Sequence, residues 1–440
     1  MSKLGQTATL PFVPDTDGMG HLANINLKAV TQSLLTVAVL LVAEVASAAQ
    51  LSIRLMISYG AQRTVFVEQI NKFAKLHPDI KVYHSEIFQE EFKEKMPAWL
   101  AEESGSADIL PWFAGAKLDA FVKKGWIAPL SVAPWQTEMT PGAMAAVTLD
   151  GHAYGMPLSL YQWGFYFLKP VFKKHDIKPP VTWADLLTAC AKLRRANMTP
   201  VALGSSAPWV LAGWFDYLDL RLNGIEFHRQ LMRGDVPYTD ARVKRVFLKW
   251  RELLDAKCFP ANHARDDWRT AMPSLYRRKA GMFLIGNFVI PSMPQEVRSE
   301  MGFFPFPTLD DRIPNYEEAP LDILTIPSNA KNKKEAELFL AFMADAKVQF
   351  TLNDAMGMIP ANKNSPESQD PFISAGTKLI RSAKGITHYF DRDSIVEMNL
   401  PAMEKMAEFM QNPDSLDRIL QDLEVIRSKS YQSYLRQSGK

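Results

Sequence analysis

Aromatic and planar polar residues stand at the ends of several predicted strands in this 440-residue chain, which contains ten tryptophans. Aromatic faces stack on the apolar C–H side of a sugar ring, and planar carboxylates and amides bind its hydroxyls in paired hydrogen bonds. The aromatic candidates are Trp112, Trp163, Trp209 and Phe288. The hydrogen-bonding candidates are Gln89, Asn287, Asp322 and Asp391. No single residue is diagnostic, but together these types fit the recognition of a saccharide.

Short motifs of the commonest enzyme sites are absent from the sequence. The eight histidines include no HExxH motif and no pair at i,i+4 spacing, so no local zinc site is predicted. GxSxG, GxxxxGK and GxGxxG are also absent. The adjacent acids Asp266-Asp267 and Asp310-Asp311 lie in polar stretches, which indicates solvated surface. We therefore expect no catalytic residue, metal or cofactor, although dispersed carboxylates can still pair in space as in a glycosidase.

Length and composition favour a soluble protein of two moderate lobes. Hydrophobic residues make up 47% of the chain and charged residues 22%, which is ordinary for a globular protein. The formal net charge is +2, and neither sign forms long blocks. The partner is therefore not expected to be a nucleic acid or a membrane surface.

One strongly apolar stretch runs from Leu34 to Ala49. It is short for a membrane span and ends in the small-x-small tripeptide ASA of a signal-peptidase site. Residues 1–49 are therefore predicted to be a removed export signal, with Met19 as an alternative start, and an uncleaved anchor is the competing interpretation. No cysteine directly follows the apolar run, so there is no attachment point for a lipid. We expect a protein that is free in the periplasm and not lipid-anchored.

The two cysteines are Cys190 and Cys258. Cys190 falls on the apolar face of a predicted helix beside Leu186 and Leu193, where a buried thiol is expected. An exported protein can form a disulfide, but the sequence does not place the pair within bonding distance. We predict two free, buried thiols.

The order of predicted elements indicates an α/β fold. A strand from Leu51 to Ser58 is followed by an amphipathic helix and by a second strand that begins at Ile80. This order predicts a βαβ unit and a parallel sheet, whose ligands bind beyond the carboxyl ends of the strands. Tyr59 and Gln89 lie at those ends and are candidate ligand-binding residues.

The centre of the chain, from Asp150 to Phe172, consists of two extended segments joined end to end. The first alternates up to Leu160, and the second runs from Phe165 to Leu168 after a Trp163-Gly164 step. A strand that stops and resumes without a long loop is typical of a crossing between two lobes, because few residues must then absorb the opening angle.

This central stretch resembles the carbohydrate-type extracellular solute-binding proteins of ABC importers. The resemblance lies in the pattern D-G-x-x-Y-G-x-P-x-S-x-x-x-W-G from Asp150, followed by Pro179-Pro180 and by T-W-x-D-L from Thr182. It extends over nearly all of the chain after Leu51. It implies the two-lobed periplasmic-binding-protein (Venus-flytrap) fold with three interlobe crossings. The implied N-terminal lobe comprises residues 50–159 and 312–353, and the C-terminal lobe comprises 160–311 and 354–440.

The resemblance also implies that the candidate residues converge on one interlobe cleft. A-D-I-x-x-W-x-A-G from Ala107 matches a segment whose aromatic lines the cleft, so Trp112 is a candidate, with a core tryptophan as the alternative. Phe288 stands where the family usually has tryptophan. Where the family commonly has glycines, this chain has Leu321-Asp322, and the carboxylate could bind ligand hydroxyls or cap the turn. Trp209 is predicted on a flexible loop from Gly204 to Trp214.

The function implied by the resemblance is a monomeric periplasmic binding protein. It would bind a mono- or oligosaccharide and deliver it by hinge closure to an ABC permease with its ATPase. The alternative from another class is an exported glycosidase or lyase. A third reading keeps the fold and replaces the sugar with a polyol phosphate or with an amine held by Asp322 and the aromatics.

Overall fold

The computed structural model describes residues 49–58, 60–105 and 107–437. The predicted export signal at residues 1–49 lies outside the described residues except for Ala49, and Tyr59 lies outside them as well. Within the described residues, no helix combines the length and hydropathy needed to cross a membrane.

The described residues alternate between strands and helices. The strands are β1 (Ala49–Ile57), β2 (Ile80–Phe88), β3 (Leu110–Phe113), β4 (Thr148–Leu149), β5 (His152–Ala153), β6 (Met156–Leu160), β7 (Trp163–Leu168), β8 (Thr199–Val201), β9 (Ala280–Gly286), β10 (Met301–Phe304), β11 (Glu317–Glu318), β12 (Leu321–Thr325), β13 (Ile359–Pro360) and β14 (Ile386–Thr387). The α-helices are α1 (Gly60–Leu76), α2 (Gln89–Ala101), α3 (Ala116–Lys123), α4 (Pro141–Ala145), α5 (Lys169–Lys174), α6 (Trp183–Arg195), α7 (Trp209–Met232), α8 (Ala241–Asp255), α9 (Trp268–Tyr276), α10 (Gln295–Arg298), α11 (Lys333–Ala344), α12 (Ala346–Met356), α13 (Pro371–Ser382), α14 (Phe390–Asp393), α15 (Val396–Gln411) and α16 (Leu416–Gln437).

The first sheet has the order β13-β6-β12-β3 and is extended by β1 and β2. β1 and β2 are parallel and are joined by α1, as the sequence predicts. A parallel bridge between Ile53 and Ile109 links β1 to the chain just before β3. β12 is antiparallel to both β3 and β6, and its register shifts between Asp322 and Ile323. The carboxyl ends of β1 and β2 therefore lie on one edge, near Asp322.

The second sheet has the order β10-β7-β9-β8. β7 is antiparallel to β9 and to β10, and every residue of β7 and β9 is buried. Strands covered on both faces are expected to read as continuous apolar runs, which is what these two strands show. Trp250 on α8 is fully buried.

Only Tyr161 and Gln162 separate β6 in the first sheet from β7 in the second. The amide of Tyr161 donates a hydrogen bond to the Pro320 carbonyl, and the Gln162 carbonyl accepts one from the Asn287 amide at 3.0 Å. The prediction of two extended segments joined end to end is confirmed, and the two segments belong to different sheets. Two residues must therefore absorb any change in angle here.

The stretch from Gly204 to Trp214 is not one loop, and that prediction was wrong. Helix α7 begins at Trp209, directly after Pro208, and its residues from Val210 to Arg221 are all buried. A helix buried on every side lacks the apolar stripe by which an amphipathic helix is recognised. The loop is consequently shorter than predicted, and Trp209 lies on the first turn of a buried helix.

Both thiols are buried and free, as predicted. Cys190 on α6 forms a hydrogen bond with Cys258, which together with burial raises the pKa of the Cys190 thiol. A thiol held neutral in this way is a weak nucleophile, because the thiolate is the reactive form.

A buried ion pair joins α7 to β11, next to the chain segment that returns to the first sheet. Arg221 and Glu317 approach to 2.6 Å, and both side chains are 1% exposed. The Tyr217 hydroxyl donates a further hydrogen bond to Glu317 at 3.0 Å. Glu317 and Glu318 form β11, which pairs with β14. This network fixes the start of the return segment against the second lobe.

Two carboxyl groups, Asp216 on α7 and Glu318 on β11, are fully buried in the interior, and each affects the ionisation of the other. Burial raises the pKa of Asp216 to about 7 and raises that of Glu318 well above its usual value. The pair is therefore protonated in the folded state at pH values at which an unfolded chain has released both protons.

We expect this carboxyl pair to make the stability fall as the pH rises. In the unfolded chain both carboxyl groups have pKa values of about 4. The folded state therefore binds more protons than the unfolded chain between about pH 4 and pH 7. The free energy of unfolding decreases as the pH rises across that range. The variant Asp216→Asn should show a shallower decrease of the unfolding temperature between pH 5 and pH 8 than the native chain.

Asp310→Asn is the matched control for the pH measurement. The pKa of Asp310 lies at about 2, because hydrogen bonds from the Arg312 side chain and backbone favour the carboxylate. Its charge is constant between pH 5 and pH 8, so its removal should leave the slope unchanged. Equal slopes in the native chain and in Asp216→Asn would contradict the raised pKa of Asp216.

Candidate functional site

A cavity of about 590 Å³ lies between the two sheets. The ends of β1 and β2 and the Asp322 segment form one side. The other side comes from Trp163 at the start of β7, the amino-terminal turns of α7 and α9, and Phe288 after β9. We call this space the first cavity. Its position matches the general rule that ligands of α/β sheets bind at the carboxyl ends of the strands.

The second-sheet side of the first cavity is an aromatic wall, which consists of Trp163, Trp209, Trp268, Phe288 and Tyr389. Phe288 lies at the centre and meets Trp163, Trp209 and Trp268 edge to face, with ring centroids 5.3 to 6.3 Å apart. Tyr389 stacks on Trp163 with centroids 4.7 Å apart. These contacts hold the rings of the wall in fixed orientations against one another.

The first-sheet side of the first cavity is polar. The Ser58 amide donates to Gln62 Oε1 at 2.7 Å, and the Ser58 hydroxyl donates to Gln89 Oε1. Gln89 is the first residue of α2, immediately after β2, as the sequence predicts. The glutamine side chains are therefore positioned by the strand ends, and their amides can both donate to and accept from hydroxyl groups.

Asp322 and Arg392 form an ion pair at 3.1 Å at the floor of the first cavity. The shift in register of β12 directly after Asp322 is the kind of bulge that re-aims a side chain. The Arg392 guanidinium also lies over the rings of Phe113 at 4.1 Å and Tyr161 at 5.0 Å. Burial raises the pKa of Asp322, even though the charge of Arg392 opposes that shift.

Asp391 pairs with Lys117 at 3.1 Å. Burial alone would raise the pKa of Asp391, but the positive charges of Lys117 and Lys93 outweigh it and hold the pKa below its usual value. Burial also lowers the pKa of Lys117. This pair links α3 to α14 across the space between the lobes.

A second cavity of about 500 Å³ adjoins the first. Both are lined by Glu90, Lys93, Ala207, Trp209 and Asp391, so the two spaces share a border. α2 and α3 form one side of the second cavity, and the first turns of α15 form the other.

Six of the nine sequence-predicted residues line the first cavity: Gln89, Trp163, Trp209, Phe288, Asp322 and Asp391. Trp112 lines the second cavity instead. Asn287, which directly precedes Phe288, is fully buried and lines neither cavity. Tyr59 lies outside the described residues.

Sequence reasoning missed several residues of the first cavity, among them Tyr161, Trp268, Tyr389 and Arg392. Reading Asp266-Asp267 as solvated surface was wrong for Asp267. This residue caps α9 by accepting from the Thr270 amide at 2.8 Å, and it lines the cavity beside Trp268. An aspartate directly before an apolar residue that begins a helical stretch is an N-cap signal. This signal would have placed Trp268 on the first turn of a helix.

Metal binding finds no support in the described part of the chain, where no three histidine, cysteine or acidic side chains are grouped in a way that could hold an ion. The polar groups of the first cavity are instead paired with one another or aimed at its interior. Such a site is suited to binding a neutral polar ligand with an apolar face.

Residues 58–350 match the family model for the bacterial extracellular solute-binding protein, which is more than half of the chain. The chain belongs to this family. A related sequence is an uncharacterized ABC transporter extracellular-binding protein of Pyrococcus horikoshii, 24% identical over 374 residues, which spans 83% of this chain and 85% of the relative. The multiple sugar-binding protein of Streptococcus mutans is 25% identical over 242 residues, or 54% of this chain and 57% of the relative.

Solved structures of solute-binding proteins share the two-lobed fold. A bacterial solute receptor described as having an exclusive preference for β-D-galactopyranose superposes with a TM-score of 0.81 at 22% identity, over 88% of this chain and all of that chain. A chitin oligosaccharide binding protein superposes with a TM-score of 0.79 at 18% identity, over 88% and 99%. The predicted α/β, two-lobed fold is thus confirmed for this solute-binding protein.

Proposed function

We propose that this protein binds a carbohydrate in the first cavity and delivers it to an ABC permease and its ATPase. The observation that carries the proposal is the opposition of an aromatic wall to a polar wall across one interlobe cavity. A pyranose ring has apolar C–H faces and a rim of hydroxyls, so it needs both surfaces at once. The names of the sugar-binding relatives and structural neighbours support the same ligand class.

The Asp322–Arg392 pair of the first cavity favours a neutral ligand over an amine. Asp322, the acid that an amine would need, already binds Arg392 at 3.1 Å. Breaking this pair for an amine would leave Arg392 unpaired in a mostly buried site, which costs free energy. Hydroxyl groups can instead bind to this pair without breaking it.

The comparisons with known proteins favour a receptor over a glycosidase. Family and structural neighbours are substrate-binding receptors, and we propose that no bond is made or broken.

We propose that ligand closes the lobes about three adjacent crossings. The first is Tyr161–Gln162. Pairing of β11 with β14 and of β12 with β6 supports a second crossing at Ala319–Pro320, and pairing of β13 with β6 supports a third after Pro360. The lobe boundaries that we propose on the basis of these pairings lie several residues beyond the sequence-based ones at 311 and 353. Ligand bound to both walls then stabilises the closed form that the permease recognises.

Export to the periplasm, removal of residues 1–49, absence of a lipid anchor and a monomeric state complete the proposal. The family is extracellular by description, which supports export. Mass measurement of the secreted protein would test the cleavage point after Ala48 or Ala49, and an intact amino terminus would contradict it.

A thermal-shift screen of residues 50–440 against sugars, polyols, sugar phosphates and amines tests the proposed function. A ligand that binds only the native state at about 100 times its Kd adds about 2.7 kcal/mol of stability. We expect a concentration-dependent rise with one saccharide and no product by chromatography. A rise confined to an amine or phosphate ester would overturn the ligand class, and product formation would overturn the receptor assignment.

A further inference from the structure

The second cavity differs from the first in the chemistry of its lining. Besides charged residues and Asn399, its lining is largely hydrocarbon: Pro97, Trp112, Phe121, Val396, Leu400 and Met403. Val396 and Leu400 are on the first turns of α15 and remain 48% and 53% exposed. Aliphatic side chains offer no partners to sugar hydroxyls, and a hydroxyl buried against them without a hydrogen bond costs free energy. The lining therefore selects for an apolar group.

Charged residues mark the border between the cavities and are engaged with one another. Lys93 binds Glu90 at 2.9 Å and Lys117 binds Asp391 at 3.1 Å. Trp209 lines both spaces, so the two cavities adjoin at this ring. A ligand that extended from the first cavity into the second would contact the polar and aromatic walls, then the two charge pairs at the border, and then the hydrocarbon lining.

We propose that the second cavity binds the apolar aglycone of a glycoside whose sugar ring occupies the first cavity. This inference rests on the proposed function, because it assumes a sugar in the first cavity. The ligand class is then a glycoside with an aryl or alkyl substituent, and not an oligosaccharide that presents hydroxyls along its whole length. The cavity volume of about 500 Å³ accommodates a substituted aromatic ring.

Matched pairs of glycosides test the assignment by titration calorimetry on residues 50–440. For each sugar, the methyl and the 4-nitrophenyl glycoside carry the same ring and differ only in the aglycone. Burial of an aromatic ring should make the 4-nitrophenyl glycoside bind at least about tenfold more tightly. Equal affinities of the two glycosides would overturn the inference and leave the proposed function standing. Binding of neither would overturn both.

The variant Leu400→Asp tests whether the aglycone binds in the second cavity, and Leu248→Asp is the matched control. Both leucines are exposed, at 53% and 45%, and Leu248 on α8 lines neither cavity. Leu400→Asp should abolish the tenfold preference and leave the affinity for the methyl glycoside unchanged, whereas Leu248→Asp should change neither. A preference that survives Leu400→Asp would place the aglycone elsewhere and overturn the assignment.

A fluorescent apolar probe gives a readout that does not depend on sugar. We expect 8-anilinonaphthalene-1-sulfonate to bind the native chain, to be displaced by the 4-nitrophenyl glycoside but not by the methyl glycoside, and to bind Leu400→Asp at least about tenfold more weakly. Displacement by both glycosides alike would mean that the apolar groove closes when any sugar binds, which overturns the inference.

Discussion

Replacement of Trp209 by alanine is expected to weaken binding of the saccharide roughly 10- to 100-fold, which corresponds to the loss of about 1.5–3 kcal/mol of buried aromatic contact. Trp209 is the one residue of the aromatic wall that lines both cavities. Its ring is positioned by edge contacts with Trp163 and Phe288. Calorimetric titration with the saccharide found by the thermal-shift screen measures the effect.

Two further variants separate stacking from general loss of structure. Trp209→Phe keeps a ring and should retain most of the affinity. Trp126→Ala removes a half-buried tryptophan that lines neither cavity and should leave binding unchanged. If Trp209→Ala binds as tightly as Trp126→Ala, the stacking role of Trp209 is refuted.

Replacement of Arg221 by methionine is expected to destabilise the folded protein by about 3–5 kcal/mol at pH 8, because it leaves the buried Glu317 carboxylate without its counter-ion. Burial already raises the pKa of Glu317, and the charge of Arg221 is the main opposing influence. Without Arg221 the carboxyl takes up a proton more readily, so the destabilisation should shrink as the pH is lowered to 5. Urea unfolding at both pH values measures this.

A paired replacement and an exposed control sharpen the test of the buried pair. Arg221→Met combined with Glu317→Leu removes both charges and should recover part of the lost stability. Arg312→Ala breaks a solvent-exposed pair with Asp310 and should leave the unfolding midpoint unchanged. A double variant that is as unstable as Arg221→Met alone would show that the charge of Glu317 is not the cause.

The sequence was sufficient to predict the crossing from β6 to β7, because the signals for this crossing lie close together in the chain. Alternation up to Leu160, an immediate second extended run and the motif around Asp150 all lie within one stretch. Gln89 was predicted to line the site for a similar reason. A residue directly after a parallel strand lies at the edge of the sheet where ligands bind, and this placement needs only the local sequence.

The residues that were missed depend on contacts between distant parts of the chain. Arg392 reaches the cavity because it pairs with Asp322, 70 residues away, and its short helix has no periodic signal. Trp209 was placed on a loop because a helix buried on all sides has no stripe to detect. Trp112 was assigned to the cleft by the family resemblance, but it lies within β3 and lines the second cavity, which no local pattern specifies.

The separation of the aromatic wall on one lobe from the polar wall on the other has a kinetic consequence. In the proposed hinge closure, a sugar would first dock on the aromatic wall through its C–H face, which most pyranoses share. Its hydroxyls would form hydrogen bonds with the polar wall only when that wall approaches. Stereoisomers would thus arrive at similar rates and differ in residence time, so that discrimination is exercised by how long a complex survives and not by how often it forms.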